Sequence, residues 1–70
     1  MQIRVNGETK NVTEGSHIRE LLDNLGVHSR TVVVELNRNI VRFSQFQATE
    51  LKPGDEVEVV RIVGGGSVGR

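Results

Sequence analysis

Few side chains in this 70-residue sequence are of types that do chemistry, and their spacing decides what they can do. His17 and His28 are the two histidines; they fall in separate segments, and no cysteine accompanies them. A metal site needs three or four converging ligands, so capping or solvated roles are expected for both. Glu56 and Glu58 stand two residues apart, on one face of a strand, as a paired-carboxylate acid–base site would require. No nucleophile, base or pocket-forming length goes with them; a solubilising face, or a contact with a basic partner surface, is the expectation. Gly64-Gly65-Gly66 is not a phosphate cradle, because no helix follows whose N–H groups would hold the anion and no lysine is positioned. The glycine run is slender: without Cβ atoms it can enter a narrow channel and take backbone angles closed to other residues. Asn11-Val12-Thr13 matches a glycosylation acceptor, without consequence where no export is implied.

Composition narrows the classes further. A chain of this length hides about 60% of its unfolded surface on folding, enough for one small domain. Hydrophobic residues make up 36%, and no run of about 18 apolar residues exists to span a membrane. Met1 to Asn6 lacks a charged-then-apolar signal pattern, so no export is expected. The absence of cysteine removes disulfides, thiolate metal sites and a thiol nucleophile, and fits a reducing cytoplasm. Nine basic residues balance nine acidic ones, and Phe43 and Phe46 are the only aromatics. Neither a basic footprint nor a base-stacking platform is present, so nucleic acid is not an expected partner.

The elements that must position any site follow from period and punctuation. Gln2 to Asn6 alternates polar and apolar, the period of a half-buried strand. Asn6-Gly7 is the strongest short hairpin signal, and Glu8 to Val12 reads as the return strand. Ser16 is the expected N-cap of a helix whose stripe is Ile18, Leu21, Leu22 and Leu25, with Gly26 as its left-handed stop. Arg19 stands where a capping box on Ser16 would want Glu, so that signal is incomplete. His28 to Thr31 reads as a loop. Val32 to Leu36 is a β-branched strand with Val32, Val34 and Leu36 inward and Val33 and Glu35 outward. Asn37-Arg38-Asn39 is a turn before a short strand at Ile40-Val41, and Phe43 to Glu50 is irregular with Phe46 anchored in the core. Pro53-Gly54 suits the central positions of a type II turn, and Glu56 to Val63 is the last strand. A hairpin, a helix and three more strands pack as one helix on one face of a mixed sheet, with the first and last strands central and parallel. The expected fold is α+β, the β-grasp or ubiquitin-like arrangement, over residues 1–63, with 64–70 a flexible glycine-rich tail.

Four stretches carry a family resemblance: Val5-Asn6-Gly7-Glu8, the helix end Leu21-Leu22-Asp23-Asn24-Leu25-Gly26, Val34-Glu35-Leu36-Asn37, and Leu51-Lys52-Pro53-Gly54-Asp55 running on to Ile62-Val63-Gly64-Gly65-Gly66. In this order they resemble the thiamine-biosynthesis sulfur carriers, the ThiS type of a group that includes the small subunit of molybdopterin synthase. The resemblance implies a cytoplasmic carrier rather than an enzyme. An ATP-dependent activating enzyme would adenylate the C-terminal glycine carboxylate, a sulfur donor protein would displace AMP to leave a thiocarboxylate, and thiazole synthase would receive the sulfur. No cofactor would stay on the chain, and the free carrier would be monomeric.

On this resemblance Gly66 is the acyl end, with Gly64 and Gly65 as the lead-in. At ~3.3 Å per residue the three glycines carry that end ~10 Å from the body. The sequence departs from the family by continuing through Ser67-Val68-Gly69-Arg70, so Gly66 is in a peptide bond. Removal of residues 67–70, by a processing protease or because they are not native, is therefore expected before activation. The alternation of the last strand puts Val57 and Val59 inward and Val60 and Ile62 outward. Val60, Ile62 and Val33, rimmed by Arg4 and Arg42, form the expected docking patch on the open sheet face, unless a bulge at Val59-Val60 turns Val60 inward. Alternatives are a carrier for molybdopterin or another sulfur-containing metabolite, a ubiquitin-like modifier joined to target lysines, and an interaction module with an idle tail.

Overall fold

The computed structural model describes residues 1–62. Strands β1 (Gln2–Val5) and β2 (Glu8–Asn11) form the first hairpin, followed by helix α1 (Ile18–Leu25). Strands β3 (Val32–Leu36) and β4 (Asn39–Val41) form the second, and β5 (Glu56–Arg61) comes last. Single 3-10 turns occupy Ser29–Thr31 and Phe43–Gln45. The sheet order is β2-β1-β5-β3-β4, so β5 enters between the two hairpins, parallel to β1 and antiparallel to β3. This is the β-grasp arrangement expected from the sequence.

Left-handed turn residues close both hairpins. Asn6 and Gly7 take φ of 51° and 84°, as a type I′ turn requires. Asn37 and Arg38 take 51° and 73°, so an arginine occupies a conformation that glycine fills without steric cost. Gly54 at φ 82° forms the Pro53-Gly54 turn, closed by the Asp55 N–H on the Lys52 carbonyl at 3.1 Å. Gly26 ends α1 at φ 74°.

The inward faces of β1, β3 and β5 supply Ile3, Val5, Val32, Val34 and Val57 to the core. Helix α1 adds Ile18, Leu21 and Leu22, and the long connection before β5 adds Phe46 and Leu51. Each such side chain contributes about 1.5–3 kcal/mol on burial.

Two expectations need correction. The N-cap of α1 is His17, not Ser16, whose hydroxyl turns back to donate to the Thr13 carbonyl at 2.6 Å. With the cap moved by one residue, Glu20 stands at the third helical position and accepts the His17 backbone N–H at 2.6 Å, so a capping box does form. The first-turn N–H groups of Ile18 and Arg19 donate to the Thr49 and Phe46 carbonyls, so tertiary packing satisfies them where a Ser16 cap was expected. The last strand ends at Arg61 rather than Val63; Val63 and everything after it lie outside the described residues.

Candidate functional site: the open face of the sheet

Helix α1 covers one face of the sheet, and strand alternation places a second set of side chains on the other. Val33 and Val60 lie directly opposite each other across β3 and β5. Their register is unbroken from Val32↔Arg61 to Leu36↔Val57, so no bulge turns Val60 inward. Val60 is 56% exposed, Ile62 54% and Val33 37%. Ile62 extends the line beyond β5, its N–H donating to the Thr31 carbonyl at 2.7 Å. The structure thus brings together the three apolar residues expected to form the patch. It also adds Ile40, 69% exposed and paired with Glu35, diagonal to Val33. The sequence reading placed Ile40 in a strand but gave it no face; alternation from half-buried Val41 would have found it.

The charged rim is partly as expected. Arg4 lies on the open side of β1, paired with Glu56 in register, but its Nη2 donates to the Gly7 carbonyl at 3.3 Å. Arg42, one residue past β4, is exposed and follows Ile40 on the open side by alternation. Between these arginines runs an acidic band that the sequence showed only in part. Glu35 and Glu58 are direct cross-strand partners, and Glu56 precedes them along β5. Like charges placed directly opposite on a sheet destabilise it. The ion pairs among the described residues are His17–Glu20, Arg19–Asp23 and Lys52–Glu50, none of which neutralises this band.

The strand that carries the patch is pinned by side chains of both hairpin turns. Asn37 Oδ1 accepts the Glu56 N–H at 2.9 Å, and its Nδ2 donates to Asp55 Oδ1 at 3.0 Å. Asn6 Oδ1 accepts the Val59 N–H at 2.8 Å, and its Nδ2 donates to the Val59 carbonyl at 3.3 Å. Neither tie has a sequence signal, since Asn6 and Val59 are separated by 53 positions.

The histidines serve local structure: His17 caps α1, and His28 Nδ1 accepts the Arg30 N–H at 3.3 Å. Glu20 is held below the ordinary carboxylate range, first by the His17 backbone N–H and then by the His17 side chain. The expected acyl end Gly66 and its lead-in, Gly64 and Gly65, lie outside the described residues.

Comparison with known proteins points in one direction. The family model described as ThiS family matches residues 3–66. The crystal structure of a thiamine biosynthesis protein (ThiS) from Geobacter metallireducens superposes with a TM-score of 0.82 at 39% identity, covering 94% of this chain and 100% of that one. A thiazole synthase of Paramagnetospirillum magneticum is 40% identical over 67 residues, which is 96% of this chain and 21% of that protein. A thiazole synthase of Magnetococcus marinus is 38% identical over 66 residues, 94% of this chain and 20% of that protein. The chain spans about a fifth of the length of these two curated relatives.

Proposed function

For a chain that belongs to the ThiS family, we propose the role of sulfur carrier in thiamine biosynthesis, with Gly66 as the acyl end and residues 67–70 removed before use. A Gly66 carboxylate oxygen attacks the α-phosphorus of ATP in an activating enzyme, and pyrophosphate leaves. The terminal sulfur of a donor persulfide then attacks the acyl carbon and AMP leaves. Two thiols then reduce the resulting acyl disulfide: the first attacks the donor's sulfur and releases the thiocarboxylate, and the second frees the donor thiol as the two reductant sulfurs join in a disulfide. Catalysis and nucleotide binding belong to the partner enzymes, and this chain supplies the substrate group and the surface that presents it.

The observation that carries this reading is the family match, which runs through Gly64-Gly65-Gly66. The position of β5 supports it, since the last described strand is the central one, held on both sides, and precedes those glycines in the sequence. A glycine acyl group is the least hindered toward attack. Thiazole synthase is the proposed recipient, supported by relatives of that name in which about a fifth of the length matches this chain. The open face is the proposed docking surface: Val33, Val60, Ile62 and Ile40 offer apolar contact, Arg4 and Arg42 form the rim, and the Glu35–Glu58 pair suits a basic group on the partner.

Mass spectrometry of the chain ending at Gly66 tests the chemistry. Incubated with its activating enzyme, ATP, persulfide and thiol, it is expected to gain the mass difference between oxygen and sulfur, while the chain ending at Arg70 gains none. An unchanged mass in the shorter chain would overturn the assignment.

A further inference from the structure

The Asn6–Gly7 turn carries chemistry that the carrier role does not use. Strands β1 and β5 pair over only two residue pairs, Arg4↔Glu56 and Val5↔Val57. The last backbone bond between them is the Asn6 N–H on the Val57 carbonyl at 2.9 Å. There β1 turns away, and the Val59 N–H and carbonyl face the vacated side. The Asn6 side-chain amide supplies both missing partners, an acceptor at 2.8 Å and a donor at 3.3 Å. It stands in for a peptide group, its amide offering an acceptor and a donor side by side as a peptide does.

We propose that Asn6 is a deamidation site gated by its own tie to Val59, and that its conversion loosens β5 where the chain leaves the sheet. The Gly7 amide nitrogen attacks Asn6 Cγ and closes a cyclic imide. The Cγ–Nδ2 bond breaks, and the nitrogen departs with the Gly7 proton as ammonia. Water then opens the imide at either carbonyl, giving aspartate or isoaspartate. Gly7 has no Cβ to hinder the attack, and the space a Cβ would fill is open. The other asparagines, Asn11, Asn24, Asn37 and Asn39, precede Val12, Leu25, Arg38 and Ile40, all bulky. In the closed state the two hydrogen bonds to Val59 hold Cγ in place, so attack waits on local opening of the strand. After conversion a carboxylate oxygen replaces Nδ2 against the Val59 carbonyl, and a hydrogen bond becomes a repulsion. The isoaspartyl product also lengthens the main chain within a two-residue turn.

Peptide mapping by mass spectrometry, on folded protein and on a sample in concentrated urea, both in mildly alkaline buffer, reads the site and its gate. Asn6 is expected to convert first among the five asparagines, and roughly tenfold or more slowly in the folded sample. Amide exchange reads the consequence: in Asn6→Asp the Val59 N–H is expected to exchange roughly tenfold faster, while the Glu56 N–H, held by Asn37, is unchanged. Asn6→Gly keeps the turn and removes the tie, and serves if the aspartate variant does not fold. Equal conversion rates in the two samples, earlier conversion at another asparagine, or unchanged Val59 exchange in the folded variants would each overturn the proposal. None of these readouts depends on sulfur transfer.

Discussion

The two faces of this sheet come from the same strands, and they have been filled on different terms. On the covered face, Ile3, Val34 and Val57 are at most 1% exposed and pack against Ile18, Leu21 and Leu22 of the helix. On the open face, their strand neighbours leave three valine and isoleucine side chains more than half exposed, next to two glutamates placed directly opposite each other. The first feature costs solubility and the second stability, and neither cost arises on the covered face. The covered face satisfies the chain itself; the open face is the one the proposed docking role would use.

The largest expected effect breaks the covered face. Leu22→Ala empties a fully buried position and should cost about 2–5 kcal/mol, read as a shifted urea midpoint. Its loss of activation should only track the unfolded fraction. Val60→Asp with Ile62→Asp should do the reverse: stability within about 0.5 kcal/mol of the parent, and a rate of adenylation at Gly66 at least about tenfold lower, as loss of a central apolar contact gives. Full activity in that folded variant would remove the open face as the docking surface. Glu58→Lys sharpens the contrast further. Placing a cation opposite Glu35 should stabilise the free protein by about 0.5 kcal/mol, seen in urea melts, while slowing activation. The smallest effect is a pH dependence on the helix side. Because the folded state holds the Glu20 carboxyl below its ordinary value, its contribution is fully present above the ordinary carboxylate range. That contribution is lost as the pH falls through the lowered value. Thermal melts of Glu20→Gln should lack that part of the acid-side decline.

Much of the fold was legible because local rules and the tertiary structure agree. Asn6-Gly7, Gly26 and Pro53-Gly54 all take the positive-φ turn or stop that their residue types demand. Val32–Leu36 is the strand its β-branched run announces. The misreadings arise where distant segments intervene. Sequence alone places the helix start at Ser16, because the carbonyls of Phe46 and Thr49, which satisfy the first turn, come thirty or more residues later. The turn at Asn37-Arg38 was legible as a turn, but not its two left-handed residues, because arginine gives no hint of φ 73°. At the site, Val33, Val60 and Ile62 followed from alternation alone, whereas facing of Glu35 and Glu58 depends on register between β3 and β5, which no single segment encodes.

The position of β5 has a further consequence for how the molecule comes into being. Among the described residues the two hairpins have no ladder to each other; each is joined only to β5, the last of the described strands. On a ribosome, the earlier residues would wait as separate pieces until that strand clears the exit tunnel. A chain terminated before Val57 therefore has no joined sheet to offer.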